Sequence, residues 1–501
     1  MTAQPFERKR YVVPRWRPAA RVAAAGELAM PRKPMQDAAI PDELKNRLET
    51  FRLRSDVVAA AELVETALVE GRENEAERAA RSLAREDSDA TPLVRKQAAL
   101  LLAKLAAEEP DRTDIDIGPV RRRVHQYPQD ALSWVDLALG FVTKGRKDKA
   151  QRAMKVAMQL APNDRHVLRS AARMHLHFDD PEQAHDILKR SAATKFDPWL
   201  VAGEIALSSA ADRKPQFLKI GIDMVEDGGF QPLHVSELAS AIGTVHLRDG
   251  NRRARKLFRT SLVNPTGNSL AQAEWANPHL GGELVTTKQI DRVSDSGEAR
   301  ALHAYWKGDF EDLIEICRQW MTEEPFASRP YSVGSSVAIA IGDFDLGLSL
   351  AEDGLALEPE SLLFRNHQAY ALIEKGEYVR ASNILRQALQ KRADEVSAEY
   401  LVATASMLLI RLGDIEDGIA GYRKVIAAFK RQGNRNLEAS AAAYLALEAA
   451  RAGLPTTSEF IKQAEELAKD LRYAPDCKVV LRRAKRWQAA VEHRRRVSET
   501  P

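Results

Sequence analysis

Apolar, small and turn-forming residues recur along this chain at a spacing of about 34 residues, and that spacing dictates a stack of helical hairpins. Between Ala131 and Asp164, the residues Trp134, Leu137, Ala138 and Phe141 fall at i, i+3, i+4 and i+7. That is the stripe of an amphipathic helix, expected from about Leu132 to Lys144. Gly145 sits where this helix must stop, because glycine enters a left-handed turn without steric cost. Ala150, Met154, Ala157 and Met158 form the stripe of a second helix, from about Asp148 to Leu160, and Pro162 ends the unit. Small Ala138 and Ala150 let the two helices approach closely. A lone hairpin of this kind leaves an apolar face uncovered, so it is stable only with a neighbour stacked on it.

The register persists. Units beginning at Ser294, Ser328 and Leu362 repeat it through Ala301, Gly308 and Cys317, then Tyr331, Gly342 and Ala351, then Ala369, Gly376 and Leu385. Further units start at Val57, Glu399 and Ala439, with a weaker one from Arg165 and one before Ala131 stretched by Glu108 to Gly118. The pattern resembles the tetratricopeptide repeat family. The resemblance implies an all-α, right-handed superhelical solenoid of helix-turn-helix units, about a dozen hairpins in all. The expected organisation is a basic tail (1–40), N-terminal repeats (41–198), degenerate helical repeats (199–293), C-terminal repeats (294–471) and a basic capping helix and tail (475–501). An irregular loop is expected over 264–294.

Charge is partitioned between the ends and the body. Met1 to Ile40 and Pro475 to Pro501 each carry eight Lys or Arg against three acidic residues, a net +5 apiece. With +3 for the whole chain, the segment between them carries −7. An acidic body does not track a phosphate backbone, which requires a basic groove. The tails can bind nucleic acid, or an acidic protein surface such as this chain's own body. No apolar run reaches the roughly 18 residues of a membrane span. Two distant cysteines, Cys317 and Cys477, lack metal-ligand spacing, and a cytoplasmic location is expected.

Both tails carry candidate contacts. In Glu7 to Pro18, Pro14 and Pro18 favour an extended conformation in which Arg15 and Arg17 flank Trp16. Such a segment presents Arg15, Trp16 and Arg17 to a partner, folds back into the chain's own groove, or stays solvated. At the other end, Cys477, Val480, Ala484, Trp487 and Val491 make one helical stripe, with Arg482, Arg483, Lys485 and Arg486 on other faces.

The resemblance also implies where a ligand sits. In tetratricopeptide proteins the first helix of each unit lines the inner wall. Here that wall carries Leu139, Val142, Ile339, Tyr370, Ile373, Tyr400 and Met407. Tyr370 and Tyr400 are the expected anchors, facing the groove with little part in stacking the hairpins. The wall lacks the Lys, Asn and Arg set with which chaperone-binding relatives clamp a terminal carboxylate.

Motifs for phosphate loops, dinucleotide folds, zinc proteases and serine hydrolases are absent from the sequence. His175 and His177 are two apart on a helix and point away from each other, so they cannot chelate one metal from it. No cofactor is expected. The sequence therefore points to a non-enzymatic scaffold or adaptor that binds proteins or peptides in its groove. A regulator binding nucleic acid through basic ends is the alternative, and an enzyme with a site in 264–294 ranks behind both. Partner identity and oligomeric state are not encoded in any motif.

Overall fold

A computed structural model describes residues 10–16, 42–54, 56–70, 72–85, 88–108, 117–281, 284–293, 296–324, 326–390, 395–469, 471 and 475–499. Twenty-six α-helices, and no strand, are found among them. The fold is the expected right-handed solenoid. From Val57 to Ala468 the helices pair into twelve hairpins, and in most units the first helix packs on the first helix of the next.

The unit at Ala131 shows how the sequence makes a hairpin. Its helices are Ala131–Val142 and Lys147–Leu160. The Asp130 carboxylate caps the first by accepting from the Leu132 amide, a bond a helix start otherwise lacks. Gly145 turns the chain at φ +63°, and in the weaker unit from Arg165 the non-glycine Asp179 takes the same conformation at φ +58°. Ala138, Ala150, Met154 and Ala157 are buried between the helices as the register requires. Trp134 is only half-buried and donates its indole N–H to the Pro128 carbonyl at 2.8 Å. Cys317 and Cys477 are both buried in apolar clusters.

The superhelix winds tightly enough to touch itself. The helix Glu77–Ala84 meets the helix Phe310–Glu323, seven hairpins further on, through charged pairs. Arg78 reaches Asp312 at 2.6 Å, Arg81 reaches Asp343 at 3.2 Å, and Arg318 and Arg85 bind Glu77 and Glu311. Burial works to raise the Glu77 pKa, but Arg318 and Arg81 outweigh it and hold the group below its ordinary value.

The expected irregular region is the helix Gly267–Ala276, a 3-10 turn Asn277–Leu280 and one short helix Thr287–Asp291. The last helix, Pro475–Glu499, buries Cys477, Val480 and Ala484 against the helix Arg435–Arg451. It also reaches back to the helices Gly297–Lys307 and Arg329–Ile341.

Candidate functional site

The inner face of the solenoid is occupied by the two ends of its own chain. Residues 10–16 lie across the helices Gly267–Ala276 and Gly297–Lys307 as a strap. Arg10, Val12, Pro14 and Trp16 are buried while Tyr11, Val13 and Arg15 are partly exposed. This alternation is that of an extended segment laid with one face on a wall.

The grip on the strap is specific at both main chain and side chain. Asn268 and Gln272, one helical turn apart, donate their amide N–H groups to the carbonyls of Val13 (2.9 Å) and Arg10 (2.8 Å). Their amide oxygens accept from the Arg10 guanidinium at 3.0 and 2.5 Å. That guanidinium also makes a two-pronged pair with Glu298, at 2.9 and 2.5 Å. Arg15 bridges Glu324 at 3.2 Å and Glu298 at 3.5 Å. Trp16 has no exposed surface and packs on Phe326 with ring centroids 5.5 Å apart.

Electrostatics support this arrangement. Burial alone would raise the Glu298 pKa, but Arg10, Arg329 and Arg15 overcome it and hold the carboxyl well below the ordinary carboxylate range. A half-open cavity of about 230 Å³ is bordered by the strap residues Arg10 and Arg15 and by Arg173, Glu298, Glu324 and Arg329. Pro14 sits on Gly203, where a Cβ would come within 3.1 Å of the proline ring.

The carboxyl end fills the other half of the groove. Arg483, almost fully buried, donates to the carbonyls of Ile339 (3.1 Å) and Ala340 (3.0 Å). Those carbonyls belong to the last turn of their helix, where hydrogen-bond acceptors remain available and a cation is favoured. Arg483 therefore does not lie on an outer face with Arg482, Lys485 and Arg486, which are exposed. Nearby, Glu374 and Glu448 bind Arg411 and Arg451 in a buried charge network.

These two fillings account for the placement of the wall residues. Leu139, Val142, Ile339, Tyr370, Ile373, Tyr400 and Met407 are each at most 5% exposed. Leu139 and Val142 share an apolar cluster with Trp16 and Phe326. The other five share one with Cys477, Val480, Leu481 and Ala484 of the last helix. Tyr370 meets Tyr444 edge-on at 5.6 Å, and Tyr400 lies 6.0 Å from Phe429. The expectation that these tyrosines stand clear of hairpin stacking is therefore corrected: they pack on aromatic rings of other helices, inside the apolar cluster that the last helix closes. Trp16 and Arg15 are brought together in the groove, with Trp16 inserted rather than presented. Arg17 lies outside the described residues.

Asn268, Gln272, Glu298, Glu324 and Phe326 carry the site and were not singled out as binding residues by sequence. The available signal was weak: Gln272 lies in the polar surroundings of Trp275, beside the irregular stretch. Trp275 itself stacks on His279 at 5.1 Å, and Glu274 accepts from Asn277 at 2.6 Å. His175 lies 3.5 Å from Asp180, while His177 packs edge-on to Phe178 and Phe326. No group of three His, Cys, Asp or Glu among the described residues is placed to hold a metal.

No family model and no curated protein matches the chain. Among solved structures it is similar to the APC/C hetero-tetramer Cut9–Hcn1, at 13% identity over 88% of this chain and 92% of that one, with a TM-score of 0.38. The human IFIT1 dimer with PPP-AAAA gives 15% identity over 90% and 96%, with a TM-score of 0.31. Yeast Tom70 gives 12% over 91% and 93%, with a TM-score of 0.32. Similarity at this level bears on fold alone. By the register of its residues and the twelve stacked hairpins they form, the chain is a tetratricopeptide-like repeat solenoid.

Proposed function

We propose that this chain is a non-enzymatic scaffold that binds other proteins along its inner face. The observation that supports this reading is the way Asn268, Gln272 and Glu298 hold residues 10–16 by main-chain carbonyls and a guanidinium together. A wall that grips an extended segment in this fashion is built for peptide recognition rather than for core packing, where apolar contact would suffice. The wall residues from Leu139 to Met407 serve this function only where a ligand replaces the segments that cover them.

The test is site-specific photo-cross-linking in native cells. A benzophenone at Ala210, partly exposed on the cavity beside the strap, should join repeatedly to the same protein. The same group at exposed Arg190 should not. Cross-links of equal yield and identity from both positions, or none from Ala210, refute the groove reading.

The alternative, binding of nucleic acid through basic ends, draws support from Arg482, Lys485, Arg486 and Arg494, which are exposed along the last helix. Against it, Arg10, Arg15 and Arg483 are already held by carboxylates or helix carbonyls. Nucleic-acid binding would show as submicromolar affinity that falls steeply with salt. The scaffold reading expects no such binding at physiological salt.

A further inference from the structure

We infer that the strap is an internal stand-in for a partner's segment. On this inference the Asn268–Gln272–Glu298–Glu324 site accepts from another protein an extended peptide with arginine at its first and sixth positions, apolar residues at the third and fifth, and tryptophan at the seventh. The inference rests on the proposal that the inner face binds proteins, and it names the chemistry of the ligand and what competes with it.

Three observations carry it. First, the contacts are those of a ligand. The strap's buried guanidinium is met by a carboxylate and two side-chain amides, and two of its carbonyls are gripped by those same amides. Residues two apart point to one face of an extended chain, so the site reads Arg10, Val12, Pro14 and Trp16 as a pattern.

Second, the two carboxylates keep partners on the wall when the strap leaves. Glu298 keeps Arg329 at 3.2 Å, and Glu324 keeps the Trp320 indole N–H at 3.0 Å, with Arg173 close enough to act on both carboxylates electrostatically. Departure of the strap therefore leaves no isolated buried carboxylate, which would otherwise forbid exchange.

Third, the strap fits its site incompletely. The half-open cavity of about 230 Å³ beside it leaves room for a bulkier ligand bearing the same arginines. A segment of the same chain also has the advantage of high local concentration. The free peptide must therefore bind weakly to the native chain and well to a chain whose own strap is weakened.

The experiment uses the full-length chain and a fluorescein-labelled peptide, Arg-Tyr-Val-Val-Pro-Arg-Trp, read by fluorescence anisotropy. Full-length R10A/R15A should bind it at least ten-fold more tightly than the native chain. A peptide with both arginines replaced by alanine should not bind. Adding N268A and E298Q to R10A/R15A should abolish the gain.

The milder Arg10→Lys keeps the charge but loses the two-pronged geometry, and it should give an intermediate affinity even if the double variant is poorly folded. If neither R10A/R15A nor R10K binds the peptide more tightly than the native chain, the strap is a fixed structural element and the inference is overturned. The cross-linking at Ala210 would remain an independent test of protein binding. Failure there as well removes the scaffold reading; success there with failure here removes only the stand-in.

Discussion

Replacing Trp16 with alanine isolates what holds the strap in place. Tryptophan buries roughly 150–250 Å², and Trp16 is fully buried against Phe326. Truncating such a side chain costs about 3–5 kcal/mol. Residues 10–16 precede every helix among the described residues and belong to no hairpin, so that cost falls on docking of the strap rather than on the folding of the hairpins. Docking should weaken by about a hundred-fold to several thousand-fold, since 1.4 kcal/mol is roughly a factor of ten. Limited trypsin digestion and hydrogen exchange together separate the two levels. Trypsin should cut after Arg10 and Arg15 more readily in Trp16→Ala, while the amides of the helix Ala131–Val142 keep their protection from exchange. As a reference, Leu168→Ala, at a 2% exposed position in the same apolar cluster, should lower the main melting transition by about 2–5 kcal/mol. If Trp16→Ala lowers that transition as much and deprotects the whole cluster, the strap is core and the reasoning fails.

Other perturbations test separate parts of the structure. His177 is depressed to about pKa 4, first by burial and then by Arg173. The unfolded chain therefore takes up a proton near pH 6.5 that the folded chain refuses. Stability should fall as pH drops from 6.5 to 4, by at most about 1.4 kcal/mol per pH unit. His177→Gln should flatten that stretch of a urea-denaturation series. Gly354→Ala places a Cβ 2.3 Å from the buried Phe364 ring, so it should destabilise by about 1–3 kcal/mol although alanine favours a helix, as calorimetry can show. Arg483→Met removes a donor from two helix carbonyls, of which Ile339 keeps the Gly342 amide, and should cost about 1–3 kcal/mol, whereas Arg482→Met, exposed one residue away, should stay within about 0.5 kcal/mol in the same denaturation assay.

Local chemistry made the fold legible, and long-range chemistry hid the site. The hairpin from Ala131 can be read from its sequence because each rule acts within a few residues: the stripe at i, i+3, i+4, the left-handed Gly145, the Asp130 cap. The same rules assign wall positions from the first helix of each unit. They carry no information on the tightness of the superhelix, which depends on contacts such as Arg85 with Glu311, 226 residues apart. The strap contact is longer still, with 288 residues between Arg10 and Glu298. Nothing around Glu298 distinguishes it from any other carboxylate at a helix start. Trp134 shows the opposite error, since its place in the stripe suggests full burial, yet the edge of the stack leaves it half-exposed.

What the sequence did contain was the charge partition, and the structure gives it a physical meaning. A body at −7 with two ends at +5 attracts its own termini, and three of the arginines from those ends, Arg10, Arg15 and Arg483, now lie within 4 Å of the body's carboxylates Glu298, Glu324 and Glu374. The apolar wall makes that attraction consequential. Ile339, Tyr370 and Met407 would form a contiguous exposed patch in an open groove, and large patches of that kind invite association. The last helix closes over these three, and the strap over Leu139 and Val142, without any partner. A protein that binds this inner face must then displace a covering segment, not merely fill a vacant groove. Its affinity is reduced by the free energy of docking that segment, and its specificity is sharpened by the same amount against ligands too weak to compete.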